Sequence, residues 1–208
     1  MTPGSVRVAR VLHGTTAEGP GLRTVVWFQG CSIQCEGCIN PHLFSRSGGS
    51  LVSIESIVAE AVSAGVEGIT LIGGEPFDQA AAGAALARRA RLSGLGIIAF
   101  SGYEFESLMG RGPDTEAFLA ETDLLVDGPY QEQNPEPGRA LVGSTNQRFI
   151  HLTDRYKDYR PEQTANRLDV RVLADGTIDV AGFLDGQGLD EFAASIGTQR
   201  KPRRHVKG

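Results

Sequence analysis

Apolar and polar residues alternate along the first part of the chain in segments that predict strands and helices in turn. Val6–Leu12 alternates with the period of a strand, and Thr24–Phe28 is an apolar run of the kind found in a buried strand. Ser53 has the position of a helix N-cap, because apolar residues recur behind it at helical spacing. The recurring residues are Ile54, Ile57, Val58, Ala61 and Val62, and Gly65 is expected to end this helix.

The same alternation of strand and helix continues to about residue 126. The predicted segments are a strand at Gly68–Ile72, a helix with its N-cap at Asp78 that ends near Ser93, a strand at Ile97–Phe100, helices at Tyr103–Met109 and Asp114–Glu121, and a strand at Leu124–Val126. Short connections between alternating strands and helices indicate parallel strands with helical crossovers. The units are fewer than the eight of a full barrel of about 250 residues. The pattern therefore predicts an α/β fold of the partial, open parallel barrel type.

The pattern changes in the last quarter of the chain. Asp169–Leu173 and Thr177–Phe183 predict a β-hairpin with Asp175 and Gly176 at its turn. We therefore expect residues 1–160 to form the barrel and residues 161–208 to form a C-terminal extension with this hairpin. The extension ends in a basic tail, Arg200–Lys207, which is expected to be a solvated end. Pro129–Arg139 is expected to be a surface loop or lid.

Composition narrows the functional class. A chain of 208 residues with 40% hydrophobic and 22% charged residues is typical of one globular domain. The net charge of −5 argues against a general nucleic-acid binder. No apolar run approaches the roughly 20 residues that span a bilayer, and the N-terminus resembles no secretory signal. We expect a cytoplasmic protein.

The three cysteines of the chain, Cys31, Cys35 and Cys38, lie together in the segment WFQGCSIQCEGCINP with the spacing C-x-x-x-C-x-x-C. Gly30 favours a sharp break from strand to loop. Four cysteines close the coordination of a tetrahedral metal or a cubane cluster, whereas three leave one site open, and an open site permits chemistry. Three unrelated thiols, or a structural zinc completed by His42, are the alternatives. A disulfide is disfavoured by the odd number of cysteines.

The cysteine segment, preceded by GPGLRTVVWFQG, resembles the cluster loop of the radical S-adenosylmethionine enzymes, and specifically of the small activating enzymes of glycyl radical enzymes. The resemblance implies that Cys31, Cys35 and Cys38 hold a [4Fe-4S] cluster whose fourth iron is chelated by the amino and carboxylate groups of S-adenosylmethionine. It also implies that Gly37, Cys38 and Ile39 pass along the adenine. Many relatives carry an aromatic residue in place of Gly37, but the activases of anaerobic ribonucleotide reductase resemble this chain in having glycine there.

Further segments support the resemblance. Gly73-Gly74-Glu75-Pro76 matches the family's GGEP element, which implies that Gly73, Gly74 and Glu75 contact the amino group of the methionine moiety. Ser101 is either a helix N-cap or a contact to the ribose or carboxylate. The remaining similar segments are Leu124–Tyr130, in which Asp127 is expected to contact S-adenosylmethionine or the partner, and Gly143–Arg148. In the second segment Asn146, Gln147 and Arg148 are expected to shape the site, with Asn146 and Arg148 as candidate contacts to the partner or substrate. Val142 stands where the family has arginine, which puts the partner contact in question.

The resemblance, which covers about Val6–Leu152, implies a radical oxidoreductase. It predicts one-electron reductive cleavage of S-adenosylmethionine to methionine and a 5′-deoxyadenosyl radical, which then takes a hydrogen atom from a glycine of a partner enzyme of the anaerobic ribonucleotide reductase type. A flavodoxin- or ferredoxin-type protein is the expected electron donor. Beyond the cluster no catalytic residue is assigned, and His13 at the rim is a candidate partner contact. The alternatives are a radical enzyme for a small molecule or peptide, similar to 7-carboxy-7-deazaguanine synthase, and a non-catalytic iron–sulfur or zinc protein.

Overall fold

The computed structural model of the chain describes residues 4–183, 186–195 and 197, so that the basic tail, residues 200–207, lies outside the described part. The strands are β1 Ser5–Thr15, β2 Arg23–Phe28, β3 Ser50–Ser53, β4 Gly68–Gly73, β5 Gly96–Phe100, β6 Leu124–Asp127, β7 Arg148–His151, β8 Leu168–Val172 and β9 Ile178–Gly182. The helices are α1 Ile54–Ser63, α2 Ala80–Leu92, α3 Phe105–Leu108, α4 Pro113–Ala120 and α5 Gly186–Ser195. In the described residues no helix is long and apolar enough to cross a membrane.

Seven strands form one sheet in the order β3-β1-β2-β4-β5-β6-β7. The central strands β2, β4, β5 and β6 are parallel, as the alternation of strand and helix predicts, whereas β1, β3 and β7 pair antiparallel to their neighbours. The mostly parallel α/β architecture is therefore confirmed. Because the carboxyl ends of β2, β4, β5 and β6 meet at one edge, the loops that follow them are brought together there.

The sheet has an apolar core on each face. On one face, Val26, Leu71 and Ala99 pack against apolar residues of α1, α2 and α4, among them Ile57, Leu86 and Phe118. Among the described residues, no α-helix contributes to the apolar clusters of the other face. There Val25 and Trp27 pack with Ala181 of β9, and Phe100 packs with Leu141, Val142 and Tyr156 from the second half of the chain. Burial of both faces explains why the central strands are continuous apolar runs.

Side-chain and proline chemistry explains where α1 and the 3-10 helix before α2 begin. The Ser53 side chain accepts a hydrogen bond from the Ser56 amide, so the predicted N-cap of α1 is confirmed. The predicted N-cap at Asp78 is wrong. A short 3-10 helix, Pro76–Gln79, precedes α2, and the Asp78 side chain bonds to another loop instead. Proline at the first position of that 3-10 helix favours the tight turn.

The pair β8–β9 is a separate two-stranded antiparallel sheet that contacts β1 mainly through polar groups. Arg171 donates to the carbonyl oxygens of His13 (2.9 Å) and Gly14 (2.8 Å). Arg10 of β1 donates to the Val180 carbonyl at 2.8 Å and pairs with Asp179 at 2.7 Å. These contacts hold the side of the hairpin that carries Arg171 and Asp179, its inward side, against the face of the main sheet that carries Trp27.

A buried carboxylate adds a pH-sensitive contact to this hairpin. Glu18 Oε1 accepts from the Gly182 amide at 2.9 Å, while Oε2 is buried with no hydrogen-bond partner among the described residues. Burial raises the pKa of Glu18 from its ordinary value of 4.5 to about 7, against the opposing effects of the Gly182 amide and Arg10. Between pH about 4.5 and about 7, Glu18 therefore keeps its proton in the folded protein but has released it in the unfolded chain. The contribution of Glu18 to stability accordingly falls as the pH rises from about 4.5 to about 7.

We expect Glu18→Gln to raise the free energy of unfolding by about 2 kcal/mol at pH 8 and by much less at pH 5, because glutamine removes the cost of the buried negative charge. Urea unfolding of the cluster-free chain at both pH values measures the difference, and groups that titrate in both proteins cancel in the comparison. Glu55→Gln, at an exposed position, is the matched control. Equal gains for Glu18→Gln at both pH values would contradict the assigned cause.

Candidate functional site

A cavity of about 410 Å³ lies at the edge of the sheet where the carboxyl ends of β2, β4, β5 and β6 meet. Ten of the residues predicted from the sequence line it: Cys31, Cys35, Gly37, Cys38, Ile39, Gly73, Gly74, Glu75, Ser101 and Gln147. The first nine come from the ends of β2, β4 and β5 and the loops that follow, while the segment after β6 contributes Gln147 together with Gly128 and Tyr130. The topology thus brings the segments that follow all four parallel strands to one cavity.

The three cysteines line this cavity and form no disulfide. Cys31 is buried, and Cys35 and Cys38 are half-buried. Burial raises the pKa of the Cys31 and Cys35 thiols above the ordinary value, in both cases against opposing backbone hydrogen bonds. Within the described residues no three His, Cys, Asp or Glu side chains converge as ligands of one metal ion. A cubane cluster binds each cysteine through a different iron, so three separate thiols around one cavity fit a cluster.

Glycines allow the loops after β2 and β4 to touch at the backbone. The Gly74 amide donates to the Phe28 carbonyl and the Glu75 amide donates to the Gly30 carbonyl, both at 2.9 Å. A Cβ atom on Gly74 would lie 2.2 Å from the Gly30 carbonyl oxygen, and Gly73 has a φ of +110°. Any side chain at these positions would therefore push the glycine loop away from the cysteine loop.

Glu75 joins the loops after β4 and β5. Its Oε1 accepts from the Phe77 amide (2.9 Å) and the Ser101 hydroxyl (3.0 Å), and its Oε2 accepts from the Gly102 amide at 2.8 Å. Burial raises the pKa of Glu75 to about 7, and these hydrogen bonds oppose that rise. A carboxylate has about four acceptor sites, so three protein donors leave room for one more at the cavity.

Asp78, which the sequence suggested only as a helix cap, holds the cysteine loop. Its carboxylate accepts from the Ser32 amide and the Ser32 hydroxyl, both at 2.8 Å. The Tyr103 hydroxyl lies 2.7 Å from the Ser32 hydroxyl and donates to Asp78 at 3.1 Å. We call Ser32, Asp78 and Tyr103 the loop clasp, because they tie together the loops after β2, β4 and β5. Charge-assisted bonds of this kind are the stronger ones.

We expect Asp78→Ala to weaken cluster retention by about 10–100-fold, the usual cost of removing a group that orients a metal ligand. The alanine leaves the Ser32 amide and hydroxyl without their acceptor, next to Cys31. The rate of iron loss to a chelator under anaerobic conditions measures the effect. Amide hydrogen exchange at Ser32, which we expect to accelerate, reports the loop independently of the cluster.

Glu121→Ala is the control for this comparison, since it removes an acid that pairs with Arg88 and Arg91 away from the loop clasp. Iron loss from Asp78→Ala at the rate of this control would show that the loop clasp does not position the cysteine loop.

Asp127 does not line the cavity and its carboxylate is occupied by protein donors. It accepts from Nε of Arg148 at 3.0 Å, from Nη2 of the same residue, and from the Phe105 amide at 2.6 Å. Arg148 also contacts the exposed carboxylate of Glu106 at 2.7 Å. The structure therefore joins the predicted residues Asp127 and Arg148 to each other, beside the cavity and at the start of α3.

The structure leaves two candidate partner contacts outside the cavity. The Asn146 amide donates to the Pro129 carbonyl at 2.8 Å and so holds the turn after β6. His13 is in β1, with Nδ1 2.9 Å from the Thr24 hydroxyl and Nε2 3.3 Å from Glu60. Because Thr24 is at the start of β2, His13 lies at the end of the sheet opposite to the cavity. A position at the rim, expected for His13, is therefore wrong.

The segment after β6 covers one side of the cavity and is braced by Arg139. Glu136 and Arg139 pair at 2.6 Å, and Arg139 also donates to the Gln147 and Thr145 carbonyls at 2.8 and 3.0 Å. Although burial acts to raise it, the hydrogen bonds from Arg139 and from the Gly138 amide lower the pKa of Glu136 to about 2. Arg139 thus holds the polar loop Gly143–Arg148, which is preceded by Val142 where the family has arginine.

Sequence reasoning missed several residues at this site. Asn166 and Phe183, from the C-terminal segment, line the cavity. The Glu132 carboxylate lies where a side chain on Gly37 would begin, 2.5–2.8 Å from the position of its Cβ. No local pattern marks these residues, because they reach the site through tertiary packing. The alternation of Thr177–Phe183 could have suggested only that Phe183 ends a strand.

Comparisons with known proteins place the chain in a family. A model of the family described as "4Fe-4S single cluster domain" matches residues 17–150. The anaerobic ribonucleoside-triphosphate reductase-activating protein of Vibrio cholerae is 32% identical over 143 residues, which cover 64% of this chain and 90% of that protein. The protein of the same name from Enterobacteria phage T4 is 28% identical, with 66% of this chain and 88% of that protein covered.

Two further matches cover a smaller share of the matched protein. Pyruvate formate-lyase 1-activating enzyme of Escherichia coli K12 is 29% identical over 144 residues, which cover 66% of this chain and 56% of that enzyme. Among solved structures, QueE from Escherichia coli matches with a TM-score of 0.37 and 15% identity, over 47% of this chain and 52% of that chain.

Proposed function

Because the chain belongs to the 4Fe-4S single cluster domain family, and within it to the radical S-adenosylmethionine activating enzymes of glycyl radical enzymes, we propose that it installs a glycyl radical on a partner enzyme of the anaerobic ribonucleotide reductase type. The observation that carries this proposal is the convergence of three cysteines, two adjacent glycines and a buried glutamate on one cavity at the carboxyl edge of the sheet.

Cys31, Cys35 and Cys38 would hold the cluster, and three protein ligands leave one iron for S-adenosylmethionine. When bound, the cluster supplies one electron to the sulfonium, which yields methionine and a 5′-deoxyadenosyl radical. The protein's own contribution is orientation. The loop clasp fixes the cysteine loop and the Gly74–Phe28 and Glu75–Gly30 backbone bonds fix its distance from the glycine loop.

Glu75 is proposed to accept from the ammonium of the methionine moiety, since its carboxylate is buried and retains acceptor capacity. Gly73 and Gly74 allow that moiety to approach the backbone, Ser101 lies beside the same carboxylate, and Gly37–Ile39 would flank the adenine. Asp127 is proposed to act indirectly, since it holds Arg148 and the start of α3 beside the cavity.

The size of the cavity supports a macromolecular substrate. Pockets for one drug-sized ligand occupy about 300–1,000 Å³, so a cavity of about 410 Å³ that holds S-adenosylmethionine has little volume left for a second whole molecule. A glycine presented on a partner's loop needs little space, because it has no side chain. Half-buried Cys35 and Cys38 would leave the cluster within reach of a flavodoxin- or ferredoxin-type donor. A reducing compartment, the cytoplasm, suits three thiols that must stay reduced.

We also propose that the sheet is a partial barrel, with residues 1–160 forming it and residues 161–208 added as an extension. The open end that such a barrel leaves would admit the partner's loop.

The proposal is tested by anaerobic incubation of the reconstituted protein with S-adenosylmethionine, dithionite and an anaerobic ribonucleotide reductase. We expect an organic radical on the reductase by electron paramagnetic resonance, and its loss when the reductase's glycine is replaced by alanine. Cleavage of S-adenosylmethionine without a radical on the reductase, together with turnover of a small molecule or peptide, would favour the alternative radical enzyme instead.

A further inference from the structure

The C-terminal segment forms part of the cavity although the family match ends before it. The match covers residues 17–150, whereas Asn166 and Phe183 line the cavity from beyond that range. Asn166 Oδ1 accepts from the Leu141 amide at 2.9 Å, which fixes the segment to the braced loop after β6. This part of the cavity wall therefore lies outside the matched family domain.

Phe183 reaches the cavity because the hairpin β8–β9 is fastened to β1. Arg171 donates to two carbonyl oxygens of β1, those of His13 and Gly14, and Arg10 reaches back to the Val180 carbonyl. The inward side of the hairpin carries the polar residues Asp169, Arg171 and Asp179, and its outward side carries Val172, which is 73% exposed. Polar contacts, rather than a shared apolar core alone, thus set where β9 ends.

At the end of β9 the Phe183 ring stacks on Phe100, with centroids 5.9 Å apart and planes at 26°. Phe100 ends β5 and lines the same cavity. Leu141 and Val142 also line the cavity, and together with these rings they form an apolar wall whose side chains offer water no hydrogen-bond partner. Exclusion of water from an active site prevents the side reactions of reactive species.

We propose that Phe183 is a substrate-contacting residue that closes the active-site cavity against solvent and confines hydrogen abstraction to the substrate, a glycine-bearing polypeptide loop. This inference rests on the proposed function. In the coupled reaction one C–H bond of the glycine breaks and one C–H bond forms at C5′, giving 5′-deoxyadenosine and a glycyl radical. The electron that cleaves the sulfonium comes from dithionite. In the uncoupled reaction the hydrogen atom comes instead from the thiol reductant: its S–H bond breaks, a C–H bond forms at C5′, and a thiyl radical is left on the reductant.

Two readouts test the proposal on the reconstituted full-length protein. The first is the rate of 5′-deoxyadenosine formation without any partner but with dithiothreitol, which we expect to rise at least about fivefold in Phe183→Ala, because the thiol gains access to the cavity. The second is the number of glycyl radicals per 5′-deoxyadenosine with the reductase present, which we expect to fall by a similar factor. Phe183→Leu, which retains an apolar side chain of similar reach, should stay within twofold of wild type in both.

Arg171→Ala provides an independent variant, since it loosens the hairpin without altering a cavity residue. We expect it to show the same two changes, together with greater quenching of Trp27 fluorescence by acrylamide. Trp27 is the only tryptophan of the chain, and Arg10 stacks on it at 4.5 Å while bonding to β9. Val172→Ala, on the outward side of the same hairpin, is the control and should match wild type.

The outcomes separate the two proposals. A partner-free rate in Phe183→Ala equal to that of wild type, in a protein with its full iron content, would overturn the role of Phe183. The same is true if Arg171→Ala exposes Trp27 but leaves both readouts unchanged. If the wild-type protein cleaves S-adenosylmethionine but makes no radical on the reductase, the proposed partner is wrong, and the partner-free rate still decides the role of Phe183.

Discussion

Replacement of Cys35 by alanine is expected to abolish cluster binding and S-adenosylmethionine cleavage together. The thiol lines the cavity with Cys31 and Cys38, and no fourth cysteine exists in the chain to replace it. Loss of a group that merely orients a ligand costs about 10–100-fold, so loss of the ligand itself should exceed that range. Iron and sulfide content after anaerobic reconstitution, followed by chromatography for 5′-deoxyadenosine, measures both effects.

Ser45→Ala is the matched control for Cys35→Ala. Ser45 lies in the segment that follows the cysteines, and its hydroxyl contacts only Ser47 among the described residues at 2.8 Å. We expect it to retain about four irons and full cleavage. A Cys35→Ala protein that keeps its iron would show that the cluster is held elsewhere, and one zinc without sulfide in the wild type would favour the structural zinc alternative.

Arg23→Met is expected to cost about 4 kcal/mol of stability, because the fully buried guanidinium fills the end of the sheet opposite to the cavity. Its Nε donates to the Thr70 hydroxyl at 2.6 Å, and its Nη1 donates to the Tyr156 hydroxyl at 2.9 Å and the Pro20 carbonyl at 3.2 Å. Its Nη2 donates to the carbonyl oxygens of Ile69 and Gly96 at 2.8 and 3.1 Å. All five N–H groups are thus used, and methionine would leave these acceptors unpaired.

Urea unfolding followed by circular dichroism measures this loss. Arg88→Met is the control, because Arg88 is exposed and pairs only with Glu121 among the described residues, so its removal should change stability by less than about 0.5 kcal/mol. Arg23→Lys should also destabilise strongly, since three ammonium donors cannot reach the acceptors that surround the planar group. A loss below about 1 kcal/mol for Arg23→Met would show that the five bonds contribute little.

The sequence was sufficient for the central strands and their helices because their signals are local. Apolar runs such as Ile97–Phe100 mark strands buried on both faces, and Ser53 caps its helix through a hydroxyl three residues from its target. Two antiparallel strands were not predicted. Ser50–Ser53 and Arg148–His151 are short and half-exposed, and they form only because a sheet edge is present to pair with them.

The same distinction between local signals and tertiary contacts applies to the site. The convergence of Cys31, Glu75 and Ser101 was predictable because each follows a strand of a parallel sheet, and such strands end at one edge. Their proposed roles come from the resemblance. Asp127 is the last residue of β6, but its pairing with Arg148 depends on β7, which the sequence pattern does not indicate. Asp78, Asn166 and Phe183 act across long separations in sequence, so their roles became visible only in the folded chain.

The central claim, hydrogen abstraction from a glycine of a partner enzyme, is tested most directly by isotope transfer. An anaerobic ribonucleotide reductase made with α-deuterated glycine would be incubated with the reconstituted protein, S-adenosylmethionine and dithionite, and the 5′-deoxyadenosine analysed by mass spectrometry. We predict one deuterium per molecule of 5′-deoxyadenosine formed in the coupled reaction. Unlabelled 5′-deoxyadenosine, formed at the same rate with or without the reductase, would contradict the account.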